Sequence, residues 1–134
     1  SHVLPALVKK FILEKKKNYP KVEVWGSGHV KREFLNVNDL TSAIYFILKK
    51  KIKYDFINIG GGEHYSIKKI AIMIKKIVGY NGNIVFNKNY PDGVKRRQLD
   101  SRIIRNLGWR PKIKLKDGLI DYCNYYLNKV YPNE

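Results

Sequence analysis

The segment from Trp25 to Arg32 contains the residue types that a nucleotide site requires. Trp25 ends a short apolar stretch, Gly26-Ser27-Gly28 follows, and Arg32 begins the next extended stretch. Because glycine tolerates tight turns, the ring and the guanidinium should lie close together at the end of a strand. A base could pack beside the ring while the guanidinium binds a pyrophosphate. The alternative is a β-hairpin with a core tryptophan and a surface arginine.

Other combinations of residues give weaker signals. The three histidines, His2, His29 and His64, lack the spacing of metal ligands, so we expect no metal site. Gly60-Gly61-Gly62 is placed where a phosphate loop could lie, but it matches neither G-x-G-x-x-G nor the P-loop pattern. We interpret this triplet as a structural turn.

Cysteine content and hydropathy limit the class of protein. Cys123 is the single cysteine of the 134 residues, which excludes an internal disulfide framework. No apolar run approaches the ~18 residues that span a bilayer, and nothing resembles a secretory signal. We therefore expect a cytoplasmic protein without a membrane partner.

The net charge of +16 leaves two interpretations open. A chain this basic attracts polyanions, so it could be a free-standing module that binds nucleic acid. However, only six of the 27 basic residues are arginine, and the lysines occur in doublets beside apolar positions, as on the wet face of a helix. A compositional bias explains them without a function, and we favour that interpretation.

The pattern of apolar residues and turns alternates between helix and strand. Helices are predicted over 3–17, over a segment capped by Asn38 or Asp39, and over 67–78, 101–107 and 115–130. Strands are predicted over 22–25, 33–37, 54–59 and 83–87. Leu40, Ile44, Ile47 and Leu48 share one side of the second helix, and Ser66 and Gly79 bound the third. This alternation predicts an α/β fold with short strands and packed helices.

Several motifs together resemble a known family. They are Ser1 to Leu7, Trp25 to Leu35, Ile57 to Gly60, Val78 to Tyr80, Pro91-Asp92-Gly93 with Arg96 and Leu99-Asp100, and Leu107 to Trp109 with Pro111 and Gly118-Leu119. The chain is similar here to the extended short-chain dehydrogenase/reductases, the NAD-dependent epimerase/dehydratase superfamily. Within them it resembles the GDP-4-keto-6-deoxy-D-mannose epimerase/reductases.

The resemblance implies roles for five residues. His2 matches a histidine near the NADP nicotinamide, so it is the candidate cofactor contact. Lys10, Trp25, Arg32 and Asp92 match positions that hold the GDP-sugar substrate. These side chains suit their implied roles, because the two cations could bind the diphosphate, the indole could form a wall, and the carboxylate could accept from a base or ribose.

The resemblance also implies what the chain lacks. It does not contain the glycine-rich dinucleotide loop, and the resemblance matches none of its tyrosines to the Tyr-x-x-x-Lys pair that the superfamily uses for proton transfer. Residues 1–134 therefore correspond to the C-terminal, substrate-binding portion of a Rossmann-type enzyme whose NADP(H)-binding N-terminal half is absent from this chain. The resemblance assigns a catalytic role to none of these residues, and we expect no hydride transfer by this chain alone. It implies a parent enzyme that makes GDP-L-fucose and forms a homodimer. An enzyme of the same superfamily acting on another nucleotide sugar is the alternative.

Overall fold

A computed structural model describes residues 2–130, with the backbone alone for Val130. Two parts of the predicted 1–134 unit lie outside the described residues. They are Ser1, where the first family-like motif begins, and residues 131–134. The elements in chain order are α1 (Val3–Lys16), β1 (Lys21–Trp25), β2 (Lys31–Phe34), α2 (Val37–Lys50), β3 (Glu63–Ser66), α3 (Ile67–Val78), β4 (Asn83–Asn87), β5 (Arg96–Arg97), α4 (Arg102–Asn106), α5 (Leu115–Tyr125) and a π-helical turn (Tyr126–Val130).

The strands form two small sheets. In the first, β1 pairs with β4 in parallel, so that Trp25 lies opposite Asn87. In the second, β2 is the central strand, antiparallel to β3 and parallel to β5. Because β1 and β2 are consecutive, the turn between them connects the two sheets. The predicted α/β class with short strands and packed helices is confirmed.

The main hydrophobic core lies between the first sheet and helices α1, α3 and α5. Its fully buried side chains include Phe11 from α1, Ile70 and Ile74 from α3, and Leu119 and Cys123 from α5. A second, smaller core surrounds Ala43, Ile104 and Trp109. The large core holds α1 and β1 together, which fixes the two elements that border the cleft described below.

Helix α3 shows how local signals determine an element here. The Ser66 hydroxyl accepts a hydrogen bond from the Lys69 backbone N–H at 3.2 Å and so caps the first turn. Gly79 ends the helix with φ of 72°, a conformation that glycine adopts without steric cost. The predicted bounds of α3 and β4 are both confirmed.

Helix α2 differs from the prediction at its start. Its N-cap is Asn36, whose side chain accepts from the Asn38 backbone N–H at 2.9 Å, so the predicted cap at Asn38 or Asp39 is wrong. The preceding strand ends at Phe34 rather than at Val37, because Val37 is already helical. The Asp39 carboxylate instead lies buried against another part of the chain.

The predicted buried strand over 54–59 is wrong. This segment belongs to no strand, it bends at Asp55, and Phe56 is 79% exposed. A strand requires a neighbouring strand for its backbone hydrogen bonds, and no described residue supplies one here. Ile57 and Ile59 pack against the small core, while Tyr54 and Phe56 face outward.

The apolar stripe of α2 is largely exposed. Leu40, Ile44 and Leu48 point away from the small core, which is contacted instead by Ala43, Phe46 and Ile47. This helix therefore carries apolar residues on two sides, and one side is uncovered among residues 2–130. Within the same residues, no helix has the length and hydropathy needed to cross a bilayer.

Candidate functional site

A cleft of about 200 Å³ lies where α1, the end of β1 and the start of β2 meet. Its floor is apolar, with Leu7, Val24 and Val30 buried beneath it. Four polar or aromatic side chains border it: Lys10, Trp25, Arg32 and Asp92. The four residues assigned to the GDP-sugar by resemblance thus surround one cavity, although they come from four separate segments. Larger depressions exist, such as one of about 540 Å³ beside Gly60, but they do not combine an aromatic wall with these groups.

Lys10 is held at one side of the cleft by two contacts. Its ammonium donates a hydrogen bond to the Glu23 carbonyl oxygen at 3.0 Å. The same nitrogen lies 4.9 Å from the centroid of the Trp25 ring, a cation–π distance. These contacts use only part of the capacity of an ammonium group, which has three donors. Lys10 can therefore offer a positioned positive charge to an anionic ligand.

Trp25 stands at the rim of the cleft and is 59% exposed. The interpretation of Trp25 as a core residue is therefore wrong. The core tryptophan is Trp109, whose indole N–H donates to the Ser42 hydroxyl at 3.2 Å. An exposed indole beside a cavity offers apolar area to a ligand.

Arg32 is half-buried at the start of β2, beside the cleft. Its Nη1 donates to the carbonyl oxygens of Lys31 and Val94, each at 2.8 Å. Among the described residues, Nε and Nη2 form no hydrogen bond, so those donors are available. The backbone carbonyls therefore fix the orientation of the guanidinium and leave one edge of its fork free for a phosphate.

Asp92 borders the cleft opposite the turn after β1. Its Oδ1 accepts from the Ser27 backbone N–H at 2.6 Å, and its Oδ2 accepts from the Ser27 hydroxyl at 2.7 Å. These two bonds, first that of the hydroxyl and then that of the backbone, lower the pKa of Asp92 below its ordinary value. The group is thus an ionised acceptor, and each oxygen keeps a lone pair for a further donor.

His2 is not among the residues that line the cleft. It is the N-cap residue of α1 and is exposed, without a side-chain capping bond. It precedes Val3, which does line the cleft. His2 is thus next in sequence to a residue that lines the cleft, and its contact with a cofactor stays a prediction.

Sequence reasoning missed two residues at this site. Tyr90 stacks on Trp25 with ring centroids 4.2 Å apart and planes within 5°, and Ser27 forms both hydrogen bonds to Asp92. Ser27 stood inside the quoted Gly-Ser-Gly turn, and Tyr90 directly precedes Pro91-Asp92-Gly93. The local signals marked turns only, because neither partner is visible without the parallel pairing of β1 and β4.

Packing and backbone conformation explain the glycine triplet over 60–62. A Cβ on Gly61 would collide with the Phe34 carbonyl oxygen, and one on Gly60 would collide with the Glu33 carboxylate. Close packing therefore accounts for Gly60 and Gly61, and a φ of 72° accounts for Gly62. No group of three or more His, Cys, Asp or Glu residues within 2–130 could hold a metal ion.

Comparison with known proteins gives consistent matches. The family model described as NAD dependent epimerase/dehydratase family matches residues 1–60. A probable GDP-L-fucose synthase 1 of Oryza sativa is 40% identical over 130 residues, and a putative GDP-L-fucose synthase 2 of Arabidopsis thaliana is 43% identical over 130 residues. Each alignment covers 97% of this chain and 40% of the relative.

A solved structure agrees with these matches. The GDP-mannoheptose C4 reductase MlghC of Campylobacter jejuni, solved with NADP bound, superimposes with a TM-score of 0.78 and 34% identity. The superposition covers 94% of this chain and 46% of the reductase. This chain thus spans less than half the length of the relatives that it matches. The nucleic-acid-binding alternative gains no support from any of them. By sequence and by fold, the chain is similar to one part of the extended short-chain dehydrogenase/reductases: its first 60 residues match the NAD dependent epimerase/dehydratase family, and nearly its whole length matches GDP-L-fucose synthases.

Proposed function

We propose that this chain is the GDP-sugar-binding portion of a GDP-L-fucose synthase-like enzyme. The parent reaction would epimerise a GDP-4-keto-6-deoxy-D-mannose at two carbons and then reduce its ketone with NADPH. The observation that carries this proposal is the cleft itself, which brings Lys10, Trp25, Arg32 and Asp92 together. Two relatives with the same implied activity support it at 40% and 43% identity.

Each side chain has a distinct part in the proposed binding mode. Lys10 and the free edge of Arg32 would bind the diphosphate, where charge-assisted hydrogen bonds are the strong ones. Trp25 would form a wall for a planar or apolar part of the ligand. Asp92 would accept from a base N–H or a ribose hydroxyl. This portion would bind the substrate and would supply no catalytic acid, catalytic base or hydride.

The cofactor would be NADP(H), held mainly by a dinucleotide-binding half that this chain does not contain. His2 would face the nicotinamide, since it directly precedes the cleft residue Val3 and its side chain makes no capping bond. When bound, the cofactor supplies the hydride for the reduction. The C. jejuni reductase, solved with NADP bound, shares this fold.

The uncovered apolar surface formed by Leu40, Ile44, Leu48 and Phe56 would be the contact with that half. Such a surface on a helix is unfavourable in water, because burial contributes about 25 cal/mol per Å² of apolar area. The segment 54–59, which contains Phe56, could join a sheet supplied by that half. Determining the coding sequence upstream of Ser1 tests this assignment. An in-frame glycine-rich loop followed by Tyr-x-x-x-Lys would support it, and unrelated sequence would contradict it.

We also propose that the complete enzyme is a cytoplasmic homodimer, as the resemblance implies. Sedimentation of the complete enzyme would check this assembly, and a monomer at micromolar concentration would contradict it.

The binding experiment is a calorimetric titration of the chain with GDP, UDP and dTDP, each at the same ionic strength. Binding of GDP in preference to the other two supports the proposal. Preference for UDP or dTDP would select an enzyme of the same superfamily that acts on another nucleotide sugar. Equal, steeply salt-dependent binding of all three would indicate charge attraction alone and would contradict the proposal.

A further inference from the structure

Two contacts join the turn after β1 to the segment after β4. The ring of Trp25 stacks on Tyr90, with centroids 4.2 Å apart and planes within 5°. Two residues further along each segment, Ser27 donates two hydrogen bonds to the Asp92 carboxylate, at 2.6 and 2.7 Å. Along each segment, therefore, the residue of the aromatic pair comes first and the residue of the hydrogen-bonded pair comes two positions later.

The two segments leave the sheet side by side with little space between them. The Gly26 N–H donates to the Asn87 carbonyl oxygen at 2.9 Å, which extends the pairing of β1 and β4 into the turn. Gly26 has φ of 91°, and a Cβ on it would lie 2.5 Å from Asp92 Oδ1. Any larger residue at this position would separate the turn from Asp92, so the close approach depends on glycine.

Only one member of each pair lines the cleft. Trp25 and Asp92 border it, whereas Tyr90 and Ser27 are not among its lining residues. Tyr90 covers part of the indole, and Ser27 occupies both carboxylate oxygens. The positions of the two lining side chains are therefore set by residues outside the cavity.

We propose that Tyr90 and Ser27 are positioning residues that form one clasp and hold Trp25 and Asp92 at the wall of the cleft. This inference rests on the proposed function, since it concerns binding at the same cleft. Because both contacts join the same two segments, breaking either one loosens the wall, and breaking the second adds less. The clasp thus reduces the ordering that a nucleotide must impose when it binds.

Acrylamide quenching of tryptophan fluorescence tests the clasp without any ligand. Trp25 dominates the quenching, because it is 59% exposed and Trp109 is 6% exposed. The variants are Tyr90→Ala, Ser27→Ala and the double substitution, with Tyr90→Phe and Ser27→Thr as matched controls that keep the ring and the hydroxyl. Circular dichroism establishes that each variant keeps the helical content of the parent.

We expect the quenching constant to rise in both alanine variants and to stay near that of the parent in both controls. In the double variant the rise should be smaller than the sum of the two single rises, which is the signature of interacting sites. Additive rises would overturn the clasp, and so would an unchanged constant in Ser27→Ala.

GDP affinity provides the second measurement. If the parent chain binds GDP, each alanine variant should bind it about fivefold more weakly, with the same sub-additive pattern. This is the effect of losing one contact of about 1 kcal/mol, a hydrogen bond in Ser27→Ala and an aromatic stack in Tyr90→Ala. Equal affinity of Ser27→Ala and the parent would overturn the positioning role. If the parent does not bind GDP, the proposed function fails. The quenching constants of the single and double variants still show whether the clasp exists.

Discussion

The buried carboxylate of Asp39, near the start of α2, accepts a hydrogen bond from the backbone N–H of Ile113 at 2.9 Å. Its other oxygen accepts from the Lys112 backbone N–H at 3.0 Å. One side chain that is 4% exposed thus satisfies two backbone donors just before α5. An unsatisfied buried donor is costly, so this carboxylate connects α2 to the segment that leads into α5.

Replacing Asp39 by asparagine should destabilise the fold by about 1–3 kcal/mol. An amide has one acceptor oxygen, and its NH₂ group would face one of the two backbone donors. Urea unfolding of Asp39→Asn and the parent measures the difference. Asp121→Asn is the matched control, because it removes the same charge from an exposed position on α5. Equal midpoints for Asp39→Asn and Asp121→Asn would contradict the structural role of Asp39.

Asp39 also shows where sequence reasoning ends. Its position after a predicted strand suggested a helix cap, and the cap residue is Asn36, three positions earlier. Ser66 and Gly79 were predicted correctly because caps and stops act within a few residues of the chain. The partners of Asp39 come from a distant segment, and no local pattern marks a backbone N–H that needs an acceptor.

The prediction for 54–59 was wrong for a related reason. An apolar, β-rich run indicates that a segment suits a sheet, but it does not show whether a neighbouring strand is present. No neighbouring strand is present among the described residues, so this segment forms no strand and Phe56 is exposed. The stripe of Leu40, Ile44 and Leu48 likewise indicated an apolar surface that suits burial. It did not identify the element that would cover this surface. The resemblance named four residues that border one cleft in the structure, and their role in substrate binding stays a prediction.

The pKa of Asp92 should rise towards its ordinary value in Ser27→Ala. The Ser27 hydroxyl is the largest cause of the lowered pKa, and the substitution removes it. In the parent, this contact stabilises the folded state above the ordinary carboxyl pKa of 3.8. That stabilisation is lost as the pH falls through the lower pKa of the folded state. Titration of the Asp92 carboxyl carbon by NMR measures both values. Ser27→Thr keeps the hydroxyl and should leave the pKa of Asp92 as low as in the parent. An Asp92 pKa in Ser27→Ala equal to that of the parent would contradict the assignment.

Arg32→Ala should weaken GDP binding by about 1.5–3 kcal/mol, the range for hydrogen bonds to charged groups. Arg32→Lys should recover only part of the affinity, because an ammonium cannot bind a phosphate with the fork of a guanidinium. Calorimetric titration with GDP measures both. Arg102→Ala removes the same charge from an exposed residue paired with Asp100, so it controls for net charge. If Arg102→Ala and Arg32→Ala lost affinity equally, binding would depend on overall charge and not on the cleft.

The stability of the fold should decrease at alkaline pH through Cys123. This thiol is fully buried in the main core, and burial raises its pKa from 9.0 to about 11. The unfolded chain therefore loses this proton at a lower pH than the folded chain. The contribution of the neutral thiol is complete below pH 9.0 and decreases as the pH rises towards 11. Urea unfolding of the parent and of Cys123→Ala at several pH values isolates this effect, because all other titrating groups are shared. The difference in the free energy of unfolding between the two proteins should become smaller from pH 9 to 11. A constant difference would contradict the prediction, because it would mean that the thiol has the same pKa in the folded and unfolded chains.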